Sequence, residues 1–127
     1  MTMDLQDHAQ EFRHAYGVLN RGDKTRDNQM MLIKEEFEEF IDAHIKMHDT
    51  ADGQAHCLKE VADLVYVCFQ YAENMEWDLM EAMRRVHESN MSKLGADGRP
   101  IRNDKGKVLK GPNYRPPNLD DLVHLNV

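Results

Sequence analysis

The chain has 127 residues, the length of one domain with a modest core, and its formal net charge is −7. Residues 93–117 carry seven basic and two acidic side chains, a balance of +5, so the remainder sums to −12. An acidic body excludes the basic face that nucleic-acid binding needs, and no apolar run reaches membrane-spanning length. The polar N-terminus does not resemble a signal peptide, and two cysteines eleven residues apart indicate a reduced setting. We therefore expect a cytoplasmic protein with no nucleic-acid or membrane partner.

Hydrophobic periodicity predicts four helical segments, of which the third is apolar on nearly every side. The first three are predicted over residues 4–19, from Thr25 or Asp27 to His48, and over residues 52–75. Asp78 and Glu81 resemble a capping box that begins the fourth helix, which Gly95 can close. The sequence thus predicts an all-α helical bundle.

A tail of different character follows the helices. Residues 99–111 are predicted to form a short hairpin that turns at Asn103–Gly106, and Asn118 is placed to cap a last helical turn. No domain boundary is visible before this tail begins. We therefore divide the single domain into a helical part, residues 1–95, and a basic tail, residues 96–127.

Two short acidic motifs lie in the second and third helices. Glu36 and Glu39 are spaced i, i+3, as are Glu60 and Asp63, so each pair projects from one helix face. Glu36 falls within an apolar stripe, and Asp63 is the one polar residue of VADLVYVCF (61–69). Buried carboxylates are unfavourable unless they are paired or bind a cation, and hard oxygen ligands suit Mg²⁺ or Mn²⁺. The pattern predicts a metal site inside the bundle.

The acidic residues have two other possible interpretations, a solvated helix face and a di-iron site. A Glu-rich string is commonly a solvated helix face, and Glu35 and Glu38 fit that alternative because they point away from the apolar stripe. Di-iron bundles need Glu-x-x-His on two helices, but the chain has this spacing once, at Glu11 and His14. Neither interpretation accounts for Glu36 and Asp63 together.

The motifs EExxE (35–39) and ExxD (60–63) resemble the signature of the all-α NTP pyrophosphohydrolase superfamily, which holds MazG, the dimeric dUTPases and phosphoribosyl-ATP pyrophosphohydrolase. Other strings are similar to a MazG-like subgroup found in bacteria and phages: FRHAYG (12–17), VHESNMSKLG (86–95) and GKVLKGPNYRPPNL (106–119). For a phage protein, the expected location is the host cytoplasm.

The resemblance implies a fold of antiparallel helices, here a four-helix bundle, that assembles as a dimer or a dimer of dimers. It makes residues 1–95 the catalytic part. The implied activity is Mg²⁺-dependent hydrolysis of a nucleoside triphosphate between the α and β phosphates, with a purine dNTP such as dGTP or dATP as our predicted substrate. Two or three Mg²⁺ ions, for which Mn²⁺ can substitute, would be held by four carboxylates: Glu36, Glu39, Glu60 and Asp63.

The resemblance and the chemistry together assign further roles. Glu35 and Glu39 are candidates to accept the proton of the attacking water, and Lys93 to stabilise the departing pyrophosphate. The predicted substrate-binding residues are Phe12, Tyr16, Asn90, Lys93, Lys110, Tyr114 and Arg115. We expect the basic tail to fold over the nucleotide. The apolar third helix, which one chain cannot cover, predicts a homo-oligomer, with a tetramer preferred over a dimer.

Two alternatives remain open for the function. One is phosphoribosyl-ATP pyrophosphohydrolase activity, which uses the same metal chemistry on a different nucleotide. The other is a non-catalytic helical module that binds a nucleotide or a protein partner.

Overall fold

The computed structural model describes residues 3–18 and 23–123, which are mostly helical with one small two-stranded sheet. The elements are α1 (Leu5–Ala15), α2 (Asp23–Lys46), α3 (Ala51–Met75), α4 (Leu79–Met91), β1 (Ile101–Arg102), β2 (Val108–Leu109) and a 3-10 turn (Asp120–Leu122). Within these ranges, no helix is both long enough and apolar enough to cross a membrane. The chain divides into two compact units, the first ending at Trp77 and the second beginning at Asp78.

In the first unit, α2 and α3 form an antiparallel helical hairpin. Only residues 47–50 join them, and the Thr25 hydroxyl near the start of α2 donates a hydrogen bond to Asn74 Oδ1 near the end of α3, at 2.6 Å. Thr50 begins α3, because its Oγ1 accepts a hydrogen bond from the Gly53 N–H at 3.0 Å. The short connection fixes how the two helices are aligned.

Helix α1 packs antiparallel on α3. Gln6 Nε2 donates to the Trp77 carbonyl oxygen at 3.3 Å, whereas the Phe12 ring lies 5.7 Å from the Tyr66 ring. Ala9, between these contacts, is 1% exposed, and its small side chain allows the two helices to approach closely. The core of this unit therefore lies along α3.

The helix ends agree with the predictions in α3 and differ in α1 and α2. α3 was expected from about residue 52 to Met75, within one residue of its observed bounds. α1 ends at Ala15, because Gly17 takes a left-handed φ of +67°, and the predicted end at Leu19 lies outside the described residues. α2 begins at Asp23, ahead of the predicted Thr25 or Asp27, since the helix starts before its apolar pattern does.

The start of α4 was predicted in part. Asp78 is the N-cap and accepts a hydrogen bond from the Glu81 N–H at 3.0 Å, as expected. The Glu81 carboxylate, however, is held by Arg84 and Arg85. These two charge-assisted pairs lower the pKa of Glu81 to about 2.

The C-terminal end of α4 is fixed by the tail. The helix ends at Met91 and not at Gly95, because the Ser92 hydroxyl donates to the Ser89 carbonyl at 2.6 Å and accepts from the Arg115 N–H at 2.9 Å. The Gly111 N–H donates to the Lys93 carbonyl at 2.9 Å. The tail is therefore attached to α4.

The tail contains the predicted hairpin. β1 and β2 pair antiparallel, with Ile101 opposite Leu109, and Gly106 supplies the left-handed residue of the turn with a φ of +79°. Asn118 Oδ1 accepts a hydrogen bond from the Asp120 N–H at 3.0 Å, although the turn that follows is a 3-10 turn.

In the structure, α4 packs with the tail in the second compact unit. The sequence grouped α4 with the other helices, in residues 1–95. The hydrogen bonds between the end of α4 and residues 111–115 are the physical reason. As a division of function, residues 1–95 and 96–127 stay a prediction, and so do the antiparallel four-helix bundle and the oligomer.

Candidate metal centre

The structure brings together three of the four predicted metal ligands. Glu36, Glu60 and Asp63 each offer one carboxylate oxygen, and these oxygens lie within 4.8 Å of one another. Glu36 lies about ten residues before the α2–α3 connection and Glu60 about as far after it. Because the hairpin is antiparallel, equal distances from the connection bring the two acidic motifs to the same level.

The three carboxylates, which we call the acidic cluster, are not equally buried. Glu60 is the most enclosed, at 5% exposed, whereas Glu36 is half-buried and the Asp63 side chain is 37% exposed. The expectation that Asp63 lies in the core is therefore wrong. Tyr66 and Lys59, which share the helix face of Asp63, are 39% and 65% exposed, so this side of α3 does not face the core.

The electrostatic surroundings of Glu36 favour its protonated form. Burial, a side-chain hydrogen bond with Glu39 and repulsion from Glu39, Asp63 and Glu60 raise the pKa of Glu36 to about 7. A proton therefore competes with any cation for this carboxylate near neutral pH.

The cluster fits a divalent cation. Oε2 of Glu36 and Oε2 of Glu60 are both fully buried, and neither accepts a hydrogen bond from any residue that the structure describes. A buried acceptor that lacks a partner is strongly unfavourable, and a cation satisfies it. An all-carboxylate donor set is also the kind that Mg²⁺ and Mn²⁺ prefer.

Several further acidic residues of α2 line an open groove of about 610 Å³ beside the cluster. Glu39 is exposed and lies beside Glu36, but it is not one of the three clustered ligands. Glu35 is also exposed on the groove. The groove is lined by Glu35, Glu38, Glu39, Asp42, His56, Lys59 and Glu60.

Sequence reasoning missed Lys59. Its Nζ lies 2.8 Å from Asp63 Oδ2 and 3.6 Å from Glu60 Oε1, and the hydrogen bond to Asp63 is the largest cause of its raised pKa. Lys59 stands four residues before Asp63, a spacing that places both side chains on one helix face. This spacing was the signal available in the sequence.

Phe12 and Tyr16 lie together on α1. Their ring centroids are 4.6 Å apart, and Tyr66 of α3 adds an edge contact to Phe12. Tyr66 was also missed, although it follows Asp63 by three residues and so shares its helix face. The rings border a shallow cleft of about 240 Å³ lined by His8, Glu11, Phe12, Ala15, Tyr16 and Tyr66.

The other predicted substrate-binding residues belong to the second unit. Lys110 Nζ lies 4.8 Å from the centroid of the Tyr114 ring, a cation–π contact, and Asn90 is exposed on α4. The backbone of Lys93 and Arg115 makes the hydrogen bonds between α4 and the tail. Contact of these residues with a substrate stays a prediction.

A mostly helical chain in which two neighbouring helices share a carboxylate cluster resembles the all-α nucleotide pyrophosphohydrolases. The family model described as phosphoribosyl-ATP pyrophosphohydrolase matches residues 8–90, a range that includes every member of the acidic cluster. The chain belongs to this family, within the MazG-like all-α NTP pyrophosphohydrolase superfamily, and is a nucleotide pyrophosphohydrolase. No curated protein matches the chain.

Proposed function

We propose that the protein hydrolyses a nucleoside triphosphate between the α and β phosphates, and that Mg²⁺ bound at Glu36, Glu60 and Asp63 is required. The observation that carries the proposal is the pair of buried carboxylate oxygens, on Glu36 and Glu60, that accept no hydrogen bond from the described residues. Two or three bound ions would neutralise the phosphate oxygens and make water more acidic.

Different carboxylates are proposed to bind the cation and to accept the proton of the attacking water. Glu36, Glu60 and Asp63 hold the cation, whereas Glu39 and Glu35 are exposed at the groove and free of the cluster. A carboxylate outside the ligand set is suited to accept the proton of the attacking water. We assign that role to Glu39, since it lines the groove and lies one helical turn from Glu36.

The aromatic residues support a substrate that contains a base. Phe12, Tyr16 and Tyr66 offer a ring surface in the same unit as the acidic cluster, and planar bases stack on such surfaces. We propose a purine dNTP, dGTP or dATP, as the substrate. Lys93, Lys110 and Arg115 are proposed to bind its phosphates through their charges.

A second candidate substrate is phosphoribosyl-ATP. The family match favours it, because this compound gives the family its name. It also contains a purine, so the aromatic residues do not distinguish the two candidates.

A substrate panel tests the proposal. We expect pyrophosphate release in the presence of Mg²⁺ from one member of a set that contains all NTPs, all dNTPs and phosphoribosyl-ATP. The Asp63→Asn variant is expected to lose at least about a hundredfold in kcat/KM, because it removes a ligand charge. Glu38→Gln, which alters an exposed groove carboxylate outside the cluster, is the control and should stay within about twofold of the wild type.

Two results would count against the proposal. Wild-type turnover by Asp63→Asn at low micromolar Mg²⁺ would remove the metal assignment. Nucleotide binding without any pyrophosphate release from the whole panel would favour the non-catalytic module.

A further inference from the structure

Lys59 reaches the acidic cluster with its ammonium group. Its ammonium group contacts Asp63 Oδ2 at 2.8 Å and Glu60 Oε1 at 3.6 Å, so it touches two of the three clustered carboxylates. Its side chain is 65% exposed and also lines the groove. Both contacts are thus made by a side chain that is mostly open to solvent.

We propose that Lys59 is the counter-cation of the metal-free cluster and competes with the divalent ion for Asp63 and Glu60. The inference rests on the proposed function, because it requires the cluster to bind a divalent cation. A carboxylate oxygen that accepts a hydrogen bond from an ammonium group has less negative charge to offer a second cation, and the two cations repel each other. Lys59 must therefore leave Asp63 when the ion binds.

The released ammonium group stays in the groove, because its chain is anchored on α3 next to Glu60. The groove contains five carboxylates and, besides Lys59, only His56 as a basic side chain among its described lining residues. A phosphate group that enters with the metal is a better partner for Lys59 than an already occupied carboxylate. On this proposal, Lys59 makes metal binding weaker without a nucleotide than with one.

The experiment is a Mn²⁺ titration of the metal-free protein without nucleotide. The concentration of the free ion is measured by electron paramagnetic resonance. We compare the wild type with Lys59→Met, Lys59→Arg and Lys46→Met. Lys46 is a matched control, because it pairs with Asp42 at 3.0 Å over the same i, i+4 spacing and is 72% exposed, but it does not contact the cluster. Removal of either lysine changes the net charge equally.

We expect Lys59→Met to bind Mn²⁺ about two- to fivefold more tightly than the wild type, the range that an exposed ion pair supports. Lys46→Met and Lys59→Arg should both remain within about 1.5-fold of the wild type. Circular dichroism of each variant confirms that the helices are intact.

Each other result overturns a specific statement. Unchanged or weaker Mn²⁺ binding by Lys59→Met refutes the competition, and equal tightening by Lys46→Met shows that net charge alone is responsible. A wild-type protein that binds no Mn²⁺ refutes the proposed metal centre itself, and the role of Lys59 with it.

Discussion

The Glu36 carboxyl group changes its charge near neutral pH. Its ordinary pKa is 4.5, and burial together with the neighbouring acids raises it to about 7 in the folded, metal-free protein. Between these two values the folded state binds more protons than the unfolded state. The stability that protonated Glu36 contributes is therefore complete below about pH 4.5 and is lost as the pH rises through about 7.

This dependence predicts the behaviour of Glu36→Gln. In EDTA, the Tm of the wild type should fall between about pH 4.5 and 7 more steeply than the Tm of the variant, because glutamine cannot ionise. The variant should consequently be the more stable protein at pH 8, although it has lost a metal ligand. Thermal unfolding across this pH range provides the measurement.

The exposed Glu38 supplies the matched control, since Glu38→Gln removes one carboxylate outside the cluster. Its Tm curve should run parallel to that of the wild type. Parallel curves for Glu36→Gln as well would show that Glu36 is already ionised at low pH, contrary to the expectation.

At the residue scale, the sequence identified the cluster but not the depth of its members. Spacing alone placed Glu36, Glu60 and Asp63 on facing helix surfaces. It did not show that Glu60 is buried and Asp63 half-exposed, because the apolar run around Asp63 hides the fact that its own helix face, shared with Lys59 and Tyr66, is open to solvent. The sequence did not single out Lys59, because a lysine four residues before an acid usually forms an ordinary surface ion pair.

At the scale of elements, the connection between α2 and α3 determines whether the two acidic motifs meet. Gly53, in the first turn of α3, lies directly beneath this connection. A Cβ atom at Gly53 would lie 1.9 Å from the Met47 carbonyl oxygen, a distance that no packing tolerates. The α2–α3 connection thus requires glycine at this helical position.

Gly53→Ala is therefore expected to destabilise the protein, although alanine ordinarily stabilises a helix interior by about 1 kcal/mol relative to glycine. Displacement of the connection should cost about 1–3 kcal/mol of unfolding free energy, as overpacking typically does. Urea unfolding measures the loss, with Gln54→Ala, at an exposed position of the same helical turn, as the control. An increase in stability would show that the connection moves freely.

The sequence predicted elements well where their signals are local. The limits of α3 were correct to one residue, since Thr50 and the apolar run mark them. The predicted end of α4 was wrong, because the Ser92 hydroxyl accepts a hydrogen bond from the backbone N–H of Arg115, 23 positions later in the chain. A hydrogen bond between residues so far apart in the sequence cannot be predicted from periodicity or capping patterns.

At the scale of the whole molecule, α3 exposes apolar side chains that a soluble monomer normally buries. Leu58 is 69% exposed, and Val61 and Val65 are 38% and 40% exposed. These side chains are candidates for burial between subunits. They motivate the predicted homo-oligomer, and the preference for a tetramer over a dimer stays a prediction.

Sedimentation velocity at low micromolar concentration should therefore show a species of two to four chains. Leu58→Glu is expected to shift the distribution toward smaller species, because it would bury a charge in the interface. Leu58→Met keeps the side chain apolar and should preserve the assembly. A wild-type protein that sediments solely as a 14.8 kDa species would contradict the expectation.

The helical hairpin has a consequence for the order of folding. The acidic cluster is formed by a continuous stretch, residues 36–63, whose two helices need only a four-residue loop to close. Contacts this local form early, because they lose little chain entropy. If the cluster binds Mg²⁺, the ion should accelerate refolding in stopped-flow experiments and not merely slow unfolding, since we expect its ligands to converge before α1 docks on α3. Faster refolding would mean that the bound cation also guides the chain toward its native structure.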